Sequence, residues 1–198
     1  MELSNAAAEL GAFAWADPKS HDTALLETLP IGSFTANISG ESGDAGVALA
    51  EIYDATAGAS IGPATPRLVN LSARSLVAPG ANILIAGFVV GGSTPKTVLI
   101  RASGPALAPF GVTGTLPDPK LQIFGPVSGS PPLATNTGWG GDAQITTAAS
   151  WVGAFSWGGS ATPDSAVLIT LPPGPYTAEV SGASGDGGVA LVEVYEVQ

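Results

Sequence analysis

The chain has no cysteine, which excludes disulfides, thiol chemistry and cysteine-held zinc. Charge is scarce too. Only 11% of the 198 residues are charged, and six Lys+Arg stand against sixteen Asp+Glu, a net charge of −10. Nucleic acid is therefore excluded as a partner, because its phosphates need clustered cations. No window approaches the roughly 18 consecutive apolar residues that a membrane-spanning helix needs, and no transmembrane segment is expected. An outer-membrane barrel reads poorly, since the apolar runs are glycine-interrupted and unevenly spaced. The opening Met1-Glu2-Leu3-Ser4 has neither the basic start nor the apolar core of a signal peptide; if the protein is exported, this is its mature part. What is abundant is apolar residues (45%), Gly (27) and Pro (17). That composition is too hydrophobic for disorder and suits many turns between short strands.

The strongest signal is an internal repeat. Residues 1–54 align without gaps to 143–196 at an offset of 142, with 26 of 54 positions identical. Leu29-Pro30-Ile31-Gly32-Ser33-Phe34-Thr35-Ala36 matches Leu171-Pro172-Pro173-Gly174-Pro175-Tyr176-Thr177-Ala178, and Glu51-Ile52-Tyr53 matches Glu193-Val194-Tyr195. The expected organisation is a partial repeat at 1–54, a small-residue linker at 55–66 and a complete domain at 67–198. The partial copy corresponds to the C-terminal part of a unit.

Segments of strand length alternate or run apolar between Gly and Pro: 67–74, 82–90, 97–102, 121–124, 166–169, 176–180 and 189–195. Seven to nine short strands predict an all-β, antiparallel β-sandwich, jelly-roll-like or Ig-like. A short helix is expected over 143–152, with a counterpart near 3–10. Alternation puts Tyr176, Ala178 and Val180 on one face, and Phe34, Ala36 and Ile38 repeat it, so that face is expected to be core in both copies.

Three further strands are expected in the partial copy, at 23–29, 33–39 and 46–54. Their apolar faces need cover from the complete domain, another chain or the rest of a longer protein. Leu25, Phe34, Ile38, Val47, Leu49 and Ile52 are the apolar assembly candidates. Residues 1–54 carry nine carboxylates and one Lys, a net −8, whereas 67–120 carry Arg67, Arg74, Lys96, Arg101 and Lys120 against Asp118, a net +4. A head-to-tail contact between these regions is heterologous, so it builds rings or open filaments of the chain with itself. Arg67, Arg74, Lys96 and Arg101 are the basic candidates for that contact.

Chemical motifs are weak. His21 is the only histidine, and Pro163 stands at its repeat position. Gly58-Ala59-Ser60-Ile61-Gly62 fits a nucleophile-elbow pattern but lies in the linker, without the strand and helix that motif requires. Asp44 and Asp186 sit in duplicated Asp/Gly turns. They are weak calcium candidates, since one carboxylate per loop is too few for a firm site; a tight hairpin turn is the favoured explanation. Trp15 and Trp157 are duplicated and read as core, while Trp139 and Trp151 are freer and able to stack a sugar. Asn37-Ile38-Ser39 and Asn70-Leu71-Ser72 match the glycosylation sequon but fall in expected strands. No catalytic residue, cofactor or firm metal site emerges, and the chain is expected not to be an enzyme.

The series Arg67–Arg74, Val98–Leu107, Leu171–Ala178 and Gly188–Tyr195 resembles a bacterial repeat domain of obscure function. That domain occurs in tandem in large secreted proteins of Verrucomicrobia-like and Acidobacteria-like genomes. The Leu-Pro-x-Gly-x-Tyr-Thr segment is also similar to the bacterial pre-peptidase C-terminal domain, a secreted β-sandwich. These resemblances imply an extracellular or cell-surface location and bring no catalytic residues. The expected function is a structural subunit of an extracellular filament; the alternative is a carbohydrate-binding or adhesion module.

Overall fold

The computed structural model describes residues 3–15, 17, 19–55 and 67–197, which fall into two units, Met1–Leu68 and Val69–Gln198. The linker beyond Ala55 and the Gly58–Gly62 motif lie outside the described residues. The elements are α1 (Leu3–Leu10), β1 (Asn70–Val77), β2 (Leu84–Val90), β3 (Lys96–Ser103), a 3-10 turn η1 (Pro105–Phe110), β4 (Pro119–Phe124), β5 (Ala134–Asn136), α2 (Ala143–Trp151), β6 (Ser165–Leu171), β7 (Gly174–Gly182) and β8 (Gly188–Val197).

The second unit is an antiparallel β-sandwich. One sheet runs β1-β8-β3-β6 and the other β2-β7-β4-β5. The pairs β1·β8, β2·β7, β3·β6 and β4·β5 are successive rungs of one long antiparallel ribbon. Pairs β3·β8 and β4·β7 close each sheet. This is jelly-roll order, which decides between the two expected topologies. β1–β4 form the outgoing arm of the ribbon and β5–β8 the return arm. Strand alternation packs the core between the sheets, with Ile100, Leu121, Ile123, Val180 and Val192 wholly buried. β5 was not among the expected strands; three residues long, it is too short to show a period.

The β3–β8 sheet is covered on its outer side as well. α2, η1 and the loop after α2 pack a second apolar cluster there, around Leu99, Ala106, Ala148, Trp157 and Ala166. α2 starts where Asp142 accepts from the Gln144 and Ile145 N–H groups, at 2.7 and 3.2 Å, an N-cap that satisfies two of the free donors of the first turn. It ends at Gly153, with φ of 72°.

In the first unit, the local structure of the repeat survives. Gly11 has φ of 73°, and Ala12 N–H donates to Ala7 O at 3.0 Å as Ala154 does to Ala149 at 2.9 Å. Gly43 and Gly185 donate to Gly40 and Gly182 at the same 3.2 Å. The expected strands at 23–29, 33–39 and 46–54 do not form: no described residue of the unit is in a strand. The reason is topological. In the complete copy β6, β7 and β8 pair only with β1–β4 and never with one another. The chain holds a single copy of β1–β4. Helix ends and turns close on near neighbours, but a return arm without an outgoing arm has no ladder to join. Leu25, Phe34, Ile38, Val47, Leu49 and Ile52 are accordingly exposed. The duplicated Asp/Gly turn is also no hairpin turn, because Gly182–Gly188 leads from one sheet to the other.

Candidate functional site

β3 is buried on both faces. Val98, Ile100 and Ala102 point into the sandwich, while Leu99, Arg101 and Ser103 lie on the outer side. Arg101 sits opposite Glu193 of β8 in register, and both are enclosed beneath the loop after α2. The guanidinium, only 2% exposed, lies between two rings, 4.5 Å from the Phe155 centroid and 4.4 Å from that of Trp157. Its Nη2 donates to Phe155 O at 2.8 Å, and its Nη1 is 3.6 Å from Glu193 Oε2, an ion pair too long for a hydrogen bond. Tyr195 donates to Glu193 Oε1 at 2.6 Å. Trp157 Nε1 donates to Ser103 Oγ at 2.9 Å, and Trp139 packs edge-on against Trp157.

Next to this clamp, the wholly buried Asp164 accepts with Oδ1 from the Gly104 and Ala106 N–H groups, at 2.7 and 3.3 Å. It thereby caps η1 from a distant part of the chain. Glycine is required at 104, since a Cβ there would lie 2.1 Å from Leu116 O.

Burial pushes the Arg101 guanidinium below its ordinary value, opposed by the Glu193 charge. Burial likewise pushes the Glu193 carboxyl up, opposed by Arg101 and by the Tyr195 hydrogen bond. The Tyr195 phenol is raised by burial and by Glu193 and stays protonated as a donor. A general acid or base must reach its substrate, and Arg101 and Glu193 are shut away from solvent. The arrangement instead holds the covering loop to the sheet, with the charges gripping Phe155 and Trp157 in place.

Arg101 was expected on a basic assembly face; it is an interior charge, enclosed because its strand is covered on both sides. Lys96 is half-exposed and donates to Glu196 at 2.9 Å. Arg67 and Arg74 are exposed. Asp44 and Asp186 belong to no group of three or more His, Cys, Asp or Glu side chains able to hold a metal among the described residues. Asn70 Nδ2 donates to Val194 O at 3.3 Å, so this sequon side chain is engaged in the sheet. Trp139 is half-buried, with its Nε1 donating to Thr162 Oγ1 at 3.0 Å, whereas Trp151 is 73% exposed. Trp151 lines an open hollow of about 330 Å³ together with Thr97, Gln144, Thr147, Leu168 and Val197.

The Arg101–Glu193 pair was missed as a unit in the sequence. Its signal was there: one charge lies inside each of two apolar runs, Val98-Leu99-Ile100-Arg101-Ala102 and Val189-Ala190-Leu191-Val192-Glu193-Val194, and the glutamate recurs at Glu51.

No family model matches the chain, and no curated protein matches it. A solved structure similar to it is the pre-peptidase C-terminal domain of a collagenase from Bacillus anthracis, with a TM-score of 0.39 and 12% identity over 64% of this chain and 89% of that one. It is the kind of domain that the Leu171–Ala178 segment resembles. No helix among the described residues is long and apolar enough to cross a membrane.

Proposed function

We propose that the chain is a non-catalytic structural module of an extracellular fibre or surface array. In it, the partial repeat is completed by strand pairing with a first half that a neighbouring repeat unit supplies. The observation that supports this is the missing ladder: β6, β7 and β8 draw every partner from the outgoing arm, and their copies in 23–54 leave the same apolar positions bare. A further copy of residues 55–142, placed ahead of Met1, supplies that arm in register. Amide hydrogen exchange across 23–54 is then expected to slow to the rate of 165–196, and negative-stain images to show two sandwiches in line. Unchanged fast exchange across 23–54 overturns the reading.

Trp151 favours a second reading, a carbohydrate-binding or adhesion module. An exposed indole beside an amide and two hydroxyls, from Gln144, Thr97 and Thr147, has the chemistry to stack and hydrogen-bond a sugar ring. Glycan-array binding lost in Trp151→Ala would support it; Trp139→Ala is the poorer probe, since that side chain is packed inside the unit.

A further inference from the structure

We propose that residues 1–54 receive a first-half polypeptide of this same repeat, keyed by an arginine that the partner places between Phe13 and Trp15 and opposite Glu51. This rests on the function proposed above and names the partner. In the complete copy, Phe155, Trp157, Glu193 and Tyr195 close around Arg101. At the 142-residue offset stand Phe13, Trp15, Glu51 and Tyr53, the same four residue types. Tyr53 donates to Glu51 at 3.0 Å, as Tyr195 does to Glu193. The second half thus carries a clamp for a cation that only a first half contributes.

Residues 1–54 hold one Lys or Arg of their own, Lys19, and the exposed Ala161 stands at its repeat position. The apolar faces agree with the same occupant. Ile38 is 62% exposed where Val180 is 0%, and Ile52 is 57% exposed where Val194 is 7%. Charge agrees as well: the net −8 of 1–54 faces a partner of the kind found in 67–120, at net +4. Arginine suits the position where lysine does not, since a flat guanidinium stacks between two rings and still donates sideways.

The test uses the full chain with the added copy of 55–142 ahead of Met1. Two variants are compared with it: Glu51→Gln, and methionine in place of the added copy's arginine that corresponds to Arg101. Each is expected to speed amide exchange across 23–54 by about a hundredfold or more, since each leaves one buried charge without its partner. Exchange across 165–196 should not change and serves as the internal control. Joining the methionine change to Glu51→Leu should restore most of the protection. Protection unaffected by either variant would overturn the arginine key while leaving strand completion intact. If the unvaried extended chain shows no protection across 23–54, both fall.

Discussion

At the scale of single residues, the most consequential side chain is Arg101. Its charge is enclosed by Phe155 and Trp157, with Glu193 as counter-charge. Taking away one member of such a pair leaves a desolvated charge, which costs about 3–5 kcal/mol, whereas replacing both by apolar groups is often neutral. Arg101→Met should therefore lower the urea midpoint of the second unit sharply, and adding Glu193→Leu should recover most of the loss. Glu193 also gives a pH signature. Burial raises its carboxyl above the ordinary 4.5, so the folded state binds that proton more tightly than the unfolded chain does. The stability it contributes is complete below that value and is lost as pH climbs through the folded pKa. As pH rises above about 4.5, the native protein should lose stability relative to Glu193→Gln, by at most about 1.4 kcal/mol per pH unit. Denaturation curves of the two across that range measure it; parallel curves would mean that Glu193 does not titrate differently on folding.

At the scale of elements, the dividing line is between structure that closes on itself and structure that needs a distant partner. α2 begins at Asp142, whose carboxylate takes two N–H groups. Asp142→Ala should cost about 1 kcal/mol, read as a lower thermal midpoint and a frayed first turn, with the sheets unchanged. Elements of this local kind were legible in the sequence. Both helices stand where alanines cluster, and seven strands stand where apolar residues alternate between Gly and Pro. The strands expected in 23–54 were equally well patterned, with Phe34, Ala36 and Ile38 repeating Tyr176, Ala178 and Val180, yet none forms. Alternation states which face of a strand is apolar, not which strand lies beside it. The same limit hid the candidate site. Arg101 read as one of several surface cations because its burial depends on a loop folded over the outer side of the sheet, and local periodicity carries no record of that third layer. Assembly candidates chosen by hydrophobicity likewise mixed two faces. Phe34, Ile38 and Ile52 match the core positions Tyr176, Val180 and Val194, and Leu25 matches Val167, which packs against the same core, whereas Val47 and Leu49 match the half-buried Val189 and Leu191 on the outer side of β8.

At the scale of the whole molecule, the decisive quantity is a count of halves. Each chain carries two second halves, 1–54 and 143–196, and one first half, 67–142. Exchange of strands among copies of this chain alone always leaves one second half over, so exchange alone does not drive growth of a homopolymer. Truncation after Asp142 makes the count even. The resulting chain is a circular permutant, with β1–β5 following the counterparts of α2 and β6–β8 instead of preceding them. The joint is feasible because β1 and β8 are antiparallel neighbours with Asn70 opposite Tyr195, so the start of one lies beside the end of the other. The linker at 55–66 has only that short gap to cross, and sandwiches of this kind tolerate permutation where termini lie close. One position works against the permutant: Ala50 would replace the wholly buried Val192, leaving a cavity that costs on the order of 2 kcal/mol. Residues 1–142 are therefore expected to give a β-rich circular dichroism spectrum and a cooperative melt, at a lower midpoint than the full chain, with Ala50→Val raising it. Dilute samples should be monomers closed on themselves, and concentrated ones should add head-to-tail oligomers in sedimentation velocity, since the same pairing can be made with a neighbour. A truncated chain that stays unfolded with Ala50→Val in place would show that residues 1–54 are no substitute for 143–196, and strand completion would lose its structural basis.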